Sequence, residues 1–268
     1  MSRAPWTPDR AWARVPPSRL IGLKGVLTDI DDTLTCDGVI QPAALQALHA
    51  LHQAGLPVIA ITGRPAGWSE PFALSWPVRA IVAENGGVML RRQATGELLH
   101  EFAQAAPERD RNLARLRACA QAVLQEVPGA VLARDSAGRL TDIAIDHSEF
   151  AHLAPAQIDQ VVAVMRSHGL TATVSSIHVN GWIGEHSKWT AAHWAVQVLG
   201  DPAFDPAQWL YVGDSTNDQL MFERMPLSVA VANVARFWDE LRVKPTFVTE
   251  RERGEGFAEV AASLLACR

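Results

Sequence analysis

The sequence predicts an α/β protein, a Rossmann-like doubly wound parallel sheet with an inserted α+β cap. Three observations carry this prediction. First, residues 26–30, 57–61 and 79–83 are short apolar runs rich in β-branched residues, separated by helical patterns with brief links. Such runs read as fully buried strands, and strand–helix–strand order with short links implies right-handed parallel connections. Second, the texture changes from about Val88 to hairpin patterns and long amphipathic helices. Third, the strand-then-helix texture resumes after residue 182. The expected organisation is therefore a discontinuous core, 20–86 with 182–268, holding a cap at 87–181.

In order, Val26 opens the first strand. Asp37-Gly38 signals a turn, and Pro42 starts a helix with Leu45, Leu48 and Leu51 on one face, ended by Gly55. The second strand stops at Thr62-Gly63-Arg64-Pro65, a helix follows, and the third strand ends in Glu84-Asn85-Gly86-Gly87. In the cap, hairpins are expected around residues 94–96 and 136–138, helices over 109–127 and 158–168, and strands over 170–174 and 177–183. The returning core predicts a helix over 187–199, a strand over 209–212 ending in Gly213-Asp214, and helical residues from Asn217 to Met225. A strand over 227–231, a last short strand over 246–248 and a helix over 256–266 close the chain.

Composition sets bounds. Of 268 residues, 48% are apolar and 20% charged, ordinary for a folded protein with ample core. A net charge of −5 argues against a nucleic-acid footprint, and no apolar run suits a membrane span. Cys36, Cys119 and Cys267 lack metal spacing or an even disulfide framework, which fits a reducing compartment and a cytoplasmic location. Residues 1–19, rich in proline, read as a loosely ordered arm rather than a signal peptide.

Four core segments end a strand or open the next helix with a polar cluster. They are Asp29-Ile30-Asp31-Asp32-Thr33, Thr62-Gly63-Arg64, Lys188, and Gly213-Asp214 through Asn217-Asp218. Parallel strands bring their carboxyl ends to one edge, where open α/β sheets bind ligands. Carboxylates at that density need a cation, a partner or water. Oxygen ligands beside a glycine turn suit Mg²⁺, which pairs one or two carboxylates with substrate phosphate. Thr62 and Lys188 supply a hydroxyl and a positive charge for phosphoryl oxygens, and charge stabilisation is most of what phosphoryl transfer requires. Individually, each segment also has a bland reading: a solvated acidic turn, a simple turn, an exposed lysine, or Asn217 as a helix cap.

The four segments, in this order, resemble the haloacid dehalogenase superfamily of phosphatases. Its pattern is Asp-x-Asp-x-Thr, then a strand-terminal Ser or Thr, then Lys, then Gly-Asp-x-x-x-Asp. The resemblance implies Asp29 as nucleophile and Asp31 as general acid and base. It implies Mg²⁺ held by Asp29, the Asp31 carbonyl and Asp214, with Asp218 and Asn217 completing the metal's surroundings or fixing Lys188. Thr62 would bond the transferring phosphoryl group. Asp32 stands where many relatives carry glycine and receives no chemistry. The position and α+β texture of the insertion resemble the IIB subgroup, the Cof-like and sugar-phosphate phosphatases, as do Glu84-Asn85-Gly86-Gly87 and Val231-Ala232-Asn233.

Within the cap, strand alternation puts Ser176, His178, Asn180 and Trp182 on one face, a plausible surface for reading a sugar. The competing reading is a hairpin edge with Trp182 packed and His178 exposed. Gly63 and Arg64, beside the second motif, are further candidates for substrate binding, although an ion pair would also account for Arg64. The expected activity is Mg²⁺-dependent hydrolysis of a small phosphorylated metabolite, a sugar phosphate first, without nucleic-acid or membrane partners. A phosphomutase and a non-catalytic sugar-phosphate binding module are the alternatives.

Overall fold

The computed structural model describes residues 4–268. In chain order the elements are β1 (Gly25–Thr28), β2 (Thr35–Cys36), β3 (Val39–Ile40), α1 (Pro42–Gln53), β4 (Val58–Ile61), α2 (Ala66–Ser75) and β5 (Ala80–Ala83). There follow β6 (Val88–Arg92), β7 (Leu98–Phe102), α3 (Ala106–Glu126), β8 (Val131–Leu132), β9 (Asp142–Asp146), α4 (Pro155–Ser167), β10 (Thr171–Val174) and β11 (His178–Trp182). The last are α5 (Lys188–Val198), β12 (Trp209–Gly213), α6 (Gln219–Arg224), β13 (Ser228–Ala230), β14 (Phe247–Val248) and α7 (Arg253–Ala266).

The chain divides into two units. The first comprises residues 1–62, 75–81 and 188–268, and the second 63–74 and 82–187. In the first, β14, β13, β12, β1 and β4 lie side by side in that order and pair in parallel. Every residue of β1, β4 and β12 is buried, as expected of strands covered on both faces. Helix α1 packs on α7, where Gly254 lets the two backbones approach: a Cβ there would sit 2.9 Å from that of Ala44. Fully burying each large aliphatic side chain, such as Leu27, Leu48 or Ile59, stabilises the fold by about 1.5–3 kcal/mol. The Asp37-Gly38 turn closes a two-residue hairpin between β2 and β3, with positive φ at both positions (51° and 75°). That geometry favours residues such as Asp-Gly.

The arm departs from expectation. Residues 4–19 are not loose: they form three single 3-10 turns against the first unit. Trp12 is 3% exposed, its indole N–H donating to the Ser263 Oγ at 3.0 Å, and Ala11 forms a parallel bridge with Val248. The arm thereby covers the free edge of β14, which would otherwise expose unpaired backbone groups.

In the second unit, β6 and β7 form an antiparallel hairpin. Strands β10, β11, β9 and β8 form a separate four-stranded antiparallel sheet. Helices α3 and α4 pack with this sheet around Leu116, Val123, Ile145, Val161, Met165 and Val179. This unit is wider than the expected 87–181. Residues 63–74 group with it because Ala66 N donates to Glu84 Oε1 at 3.0 Å and Gly67 lies against Gly138.

Candidate active site

Three buried carboxylates meet at the carboxyl ends of β1 and β12. Asp29, Asp214 and Asp218 each offer an oxygen within 4.8 Å of the other two, and their residues are 3%, 0% and 0% exposed. Among the described residues, Lys188, the first residue of α5 and 3% exposed, is the cation bonded to two of the three. Its Nζ lies 2.9 Å from Asp29 Oδ1, 2.7 Å from Asp218 Oδ1 and 3.2 Å from Asn217 Oδ1. Burial pulls a lysine's proton affinity down, but Asp218 and Asp29 outweigh it and hold Lys188 charged. Burial also pushes the Asp29 carboxyl up to about 7, despite Lys188, and drives Asp214 well above the usual carboxylate range. Without a further cation, the pocket carries more negative charge than one lysine balances.

Asp214 shows where such a cation fits. Its Oδ2 accepts the Asn233 amide at 3.1 Å, whereas its buried Oδ1 has no hydrogen-bond partner. A buried carboxylate oxygen without a donor, beside a second carboxylate, is a hard-cation ligand set. The residues present therefore fit Mg²⁺, with Asp29 and Asp214 as its side-chain ligands.

Asp218, expected to complete the metal's surroundings or to fix Lys188, bonds within the protein through both oxygens. Its Oδ1 accepts Lys188 and the Tyr211 hydroxyl, and its Oδ2 accepts the backbone N–H groups of Asp214 and Ser215 at 2.8 and 3.0 Å. It anchors Lys188 and the loop after β12. Asn217 joins it, accepting Lys188 and the Ser215 hydroxyl at 3.0 Å. Its side chain faces the lysine, which accords with the expectation that it fixes Lys188. The Thr62 hydroxyl, fully buried at the end of β4, donates to Asp31 Oδ2 at 3.5 Å. Asp29, Asp31, Thr62, Lys188, Asn217, Asp214 and Asp218 all belong to the first unit.

The remaining candidates lie in the second unit. His178 and Asn180 are 2% and 1% exposed, so the reading of an exposed His178 does not hold. His178 Nε2 pairs with Glu149 Oε2 at 3.0 Å, and Asn180 Nδ2 donates to the Gly63 carbonyl at 3.1 Å. Arg64 donates to Glu149 at 2.8 Å and to Asp135 at 3.2 Å. The Glu149 carboxyl is pushed up by burial but more strongly pulled down, to about 2, by His178 and Arg64. Arg139 continues the cluster, bonding Asp142 at 2.8 Å and Asp135 at 3.2 Å. Trp182 points its indole N–H to the His186 carbonyl at 2.9 Å, a packing role rather than a sugar platform.

Sequence reasoning missed Tyr211 and Glu149, and named Asn233 only within Val231-Ala232-Asn233, without a role. Tyr211 is the only tyrosine in the chain and sits in a buried strand, so its hydroxyl needed a buried partner; that was a usable signal. Glu149 acts through contacts distant in sequence and left no local mark.

The site is thus a buried carboxylate trio at the strand ends of a doubly wound sheet, two of its members bonded to one lysine. Residues 26–110 match the family described as haloacid dehalogenase-like hydrolase. The phosphoglycolate phosphatase of Haloarcula marismortui is 29% identical over 88% of this chain and 95% of its own. That of Methanoculleus marisnigri is 28% identical over 88% and 94%. Protein 0175 of Thermoplasma acidophilum shares the fold with a TM-score of 0.69 and 18% identity, over 90% of this chain and 98% of its own. The sucrose-phosphatase of Synechocystis, solved with sucrose and phosphate, gives 0.66 and 18% over the same shares. Over residues 26–110 the chain is similar to the haloacid dehalogenase-like hydrolases, and over most of its length to phosphatases. Among the described residues, no helix is long and apolar enough to cross a membrane.

Proposed function

We propose that the chain is a Mg²⁺-dependent phosphomonoesterase that works through an aspartyl-phosphate on Asp29 and takes a small hydroxyl-rich phosphate ester, a sugar phosphate. The observation that carries the chemistry is the buried trio with its unpartnered Asp214 Oδ1 beside Lys188-bonded Asp29.

In this reading, bound Mg²⁺ supplies charge neutralisation for the phosphoryl oxygens. Lys188 shares that task and, with the metal, would favour the ionised form of Asp29 against the effect of burial. An oxygen of Asp29 attacks phosphorus while Asp31 gives its proton to the departing ester oxygen. Asp31 then takes a proton from water, which attacks the phosphorus and releases Asp29 and inorganic phosphate. Thr62, bonded to Asp31, is placed to hold the phosphoryl group.

The charge of the cap unit supports the substrate class. Its buried polar cluster sets Arg64, Arg139 and His178 against Glu149, Asp135 and Asp142, with Glu84 adding a fourth carboxylate. Each arginine is already bonded to carboxylates, which leaves little attraction for an anionic group within that unit. A second reading, a phosphorylated hydroxy acid, rests on the curated relatives named for phosphoglycolate.

Phosphate release with Mg²⁺ across sugar phosphates, phosphoglycolate and nucleotides tests the proposal. Turnover ranked highest for a sugar phosphate is expected. Preference for phosphoglycolate would replace the substrate class. Isomerised product without phosphate release, on adding a bisphosphorylated sugar, would make the enzyme a mutase.

A further inference from the structure

Asp32 lies next to the proposed acid Asp31, yet the chemistry above does not use it. Its backbone is left-handed (φ 53°), a conformation that costs an aspartate more than a glycine. Three contacts hold it there. Arg253 Nε, at the start of α7, donates to Asp32 Oδ1 at 2.8 Å. Arg236 lies 3.9 Å from Asp32 Oδ2. Asn233 Nδ2 donates to the Asp32 carbonyl at 3.0 Å and, from the same nitrogen, to Asp214 Oδ2 at 3.1 Å. Asn233 Oδ1 accepts the Arg253 backbone N–H at 2.9 Å, so one buried amide ties the β1 loop, the β12 loop and the start of α7 together. The Arg253 backbone is left-handed as well (φ 51°), so two strained residues meet in one ion pair.

We propose that Asp32 and Arg253 form a charge-balancing pair, joined through Asn233 to Asp214, that sets the electrostatic field at the metal and phosphoryl site. Both are positioning residues. The proposal rests on the Mg²⁺ reading above. Asn233 occupies Asp214 Oδ2 and leaves Oδ1 as the single oxygen for a cation. The Asp32 carboxylate would strengthen cation binding but repel a phosphate dianion, and Arg253 cancels it. The other charges of the patch, Arg236 and Glu252, lie 3.9 Å apart and balance each other.

The pair has a signature that a purely structural role lacks: its two halves act with opposite sign. In Arg253→Met the unbalanced Asp32 should tighten Mg²⁺ binding and weaken inhibition by inorganic phosphate. In Asp32→Asn the unbalanced Arg253 should do the reverse. Each shift should be on the order of tenfold, the size expected of one unit charge acting across a partly solvated site. The double variant Asp32→Asn/Arg253→Met should return both constants to near wild type, and Arg253→Lys should hold them there.

The experiment is calorimetric Mg²⁺ titration of the full chain, with phosphate inhibition measured alongside. Opposite shifts that cancel in the double variant establish the pair. Mg²⁺ binding by wild type with variants that do not move, or that move in the same direction, overturns this inference alone. No Mg²⁺ binding by wild type overturns the metal reading, and this inference with it. If Arg253→Met fails to fold, Arg253→Gln keeps the same charge test.

Discussion

Asp218→Ala should destabilise the protein in Mg²⁺ far more than in EDTA. The Asp218 carboxylate accepts Lys188, Tyr211 and two backbone N–H groups, all buried. Removing one partner of a buried pair costs about 3–5 kcal/mol, because the remaining charge and donors lose their acceptor. The same carboxylate repels Asp29 and Asp214, whose oxygens lie within 4.8 Å. At an effective dielectric near 20, each such pair is worth about 3 kcal/mol of repulsion. In EDTA the raised proton affinities of Asp29 and Asp214 leave them only partly charged, so the part of that repulsion that remains to be relieved offsets most of the loss, leaving about 0–2 kcal/mol. With Mg²⁺ neutralising Asp29 and Asp214 there is little repulsion to relieve, and the full 3–5 kcal/mol should appear. Urea unfolding of wild type and variant, each with Mg²⁺ and with EDTA, reads the difference. Equal losses in the two buffers, or a larger loss in EDTA, would refute the charge reasoning.

Acid should act on the second unit at two places. Burial holds His186, whose Nε2 has no partner, down to about 4 from its ordinary 6.5. The unfolded chain binds that proton below about 6.5 and the folded chain only below about 4, so stability should fall by about 3 kcal/mol as pH drops through this window. His186→Phe should flatten this slope in thermal unfolding scans, and an unchanged slope would count against it. Glu149, held near 2 from an ordinary 4.5, contributes stability that is present above 4.5 and lost as pH falls toward 2. Glu149→Gln should cost about 2–3 kcal/mol at pH 7 and remove that lower step. A variant as stable as wild type would show the Arg64–Glu149–His178 cluster to be energetically idle.

Much of this molecule was legible because the relevant signals are local. Buried strands announce themselves as short β-branched runs, so β1, β4, β5 and β12 fall within a residue or two of expectation. The clusters proposed as catalytic sit at strand ends, and parallel topology brings strand ends together. Legibility failed where the deciding partner is far away in sequence. Trp12 in a proline-rich stretch looks like part of a loose arm until Ser263 and the edge of β14 take it in. His178 on an alternating strand looks half-exposed, yet Glu149, reached through a loop whose N–H groups bond Asp146, covers it. In each case a tertiary hydrogen bond decided what local pattern left open.

The most direct measurement is phosphate release by Asp29→Asn, alongside wild type, in Mg²⁺ on the best substrate of the panel. The amide keeps the shape of the carboxylate but is a far poorer nucleophile. Turnover should fall by about a thousandfold or more while the variant stays folded by circular dichroism. Turnover within tenfold of wild type would contradict the covalent mechanism on which this account rests.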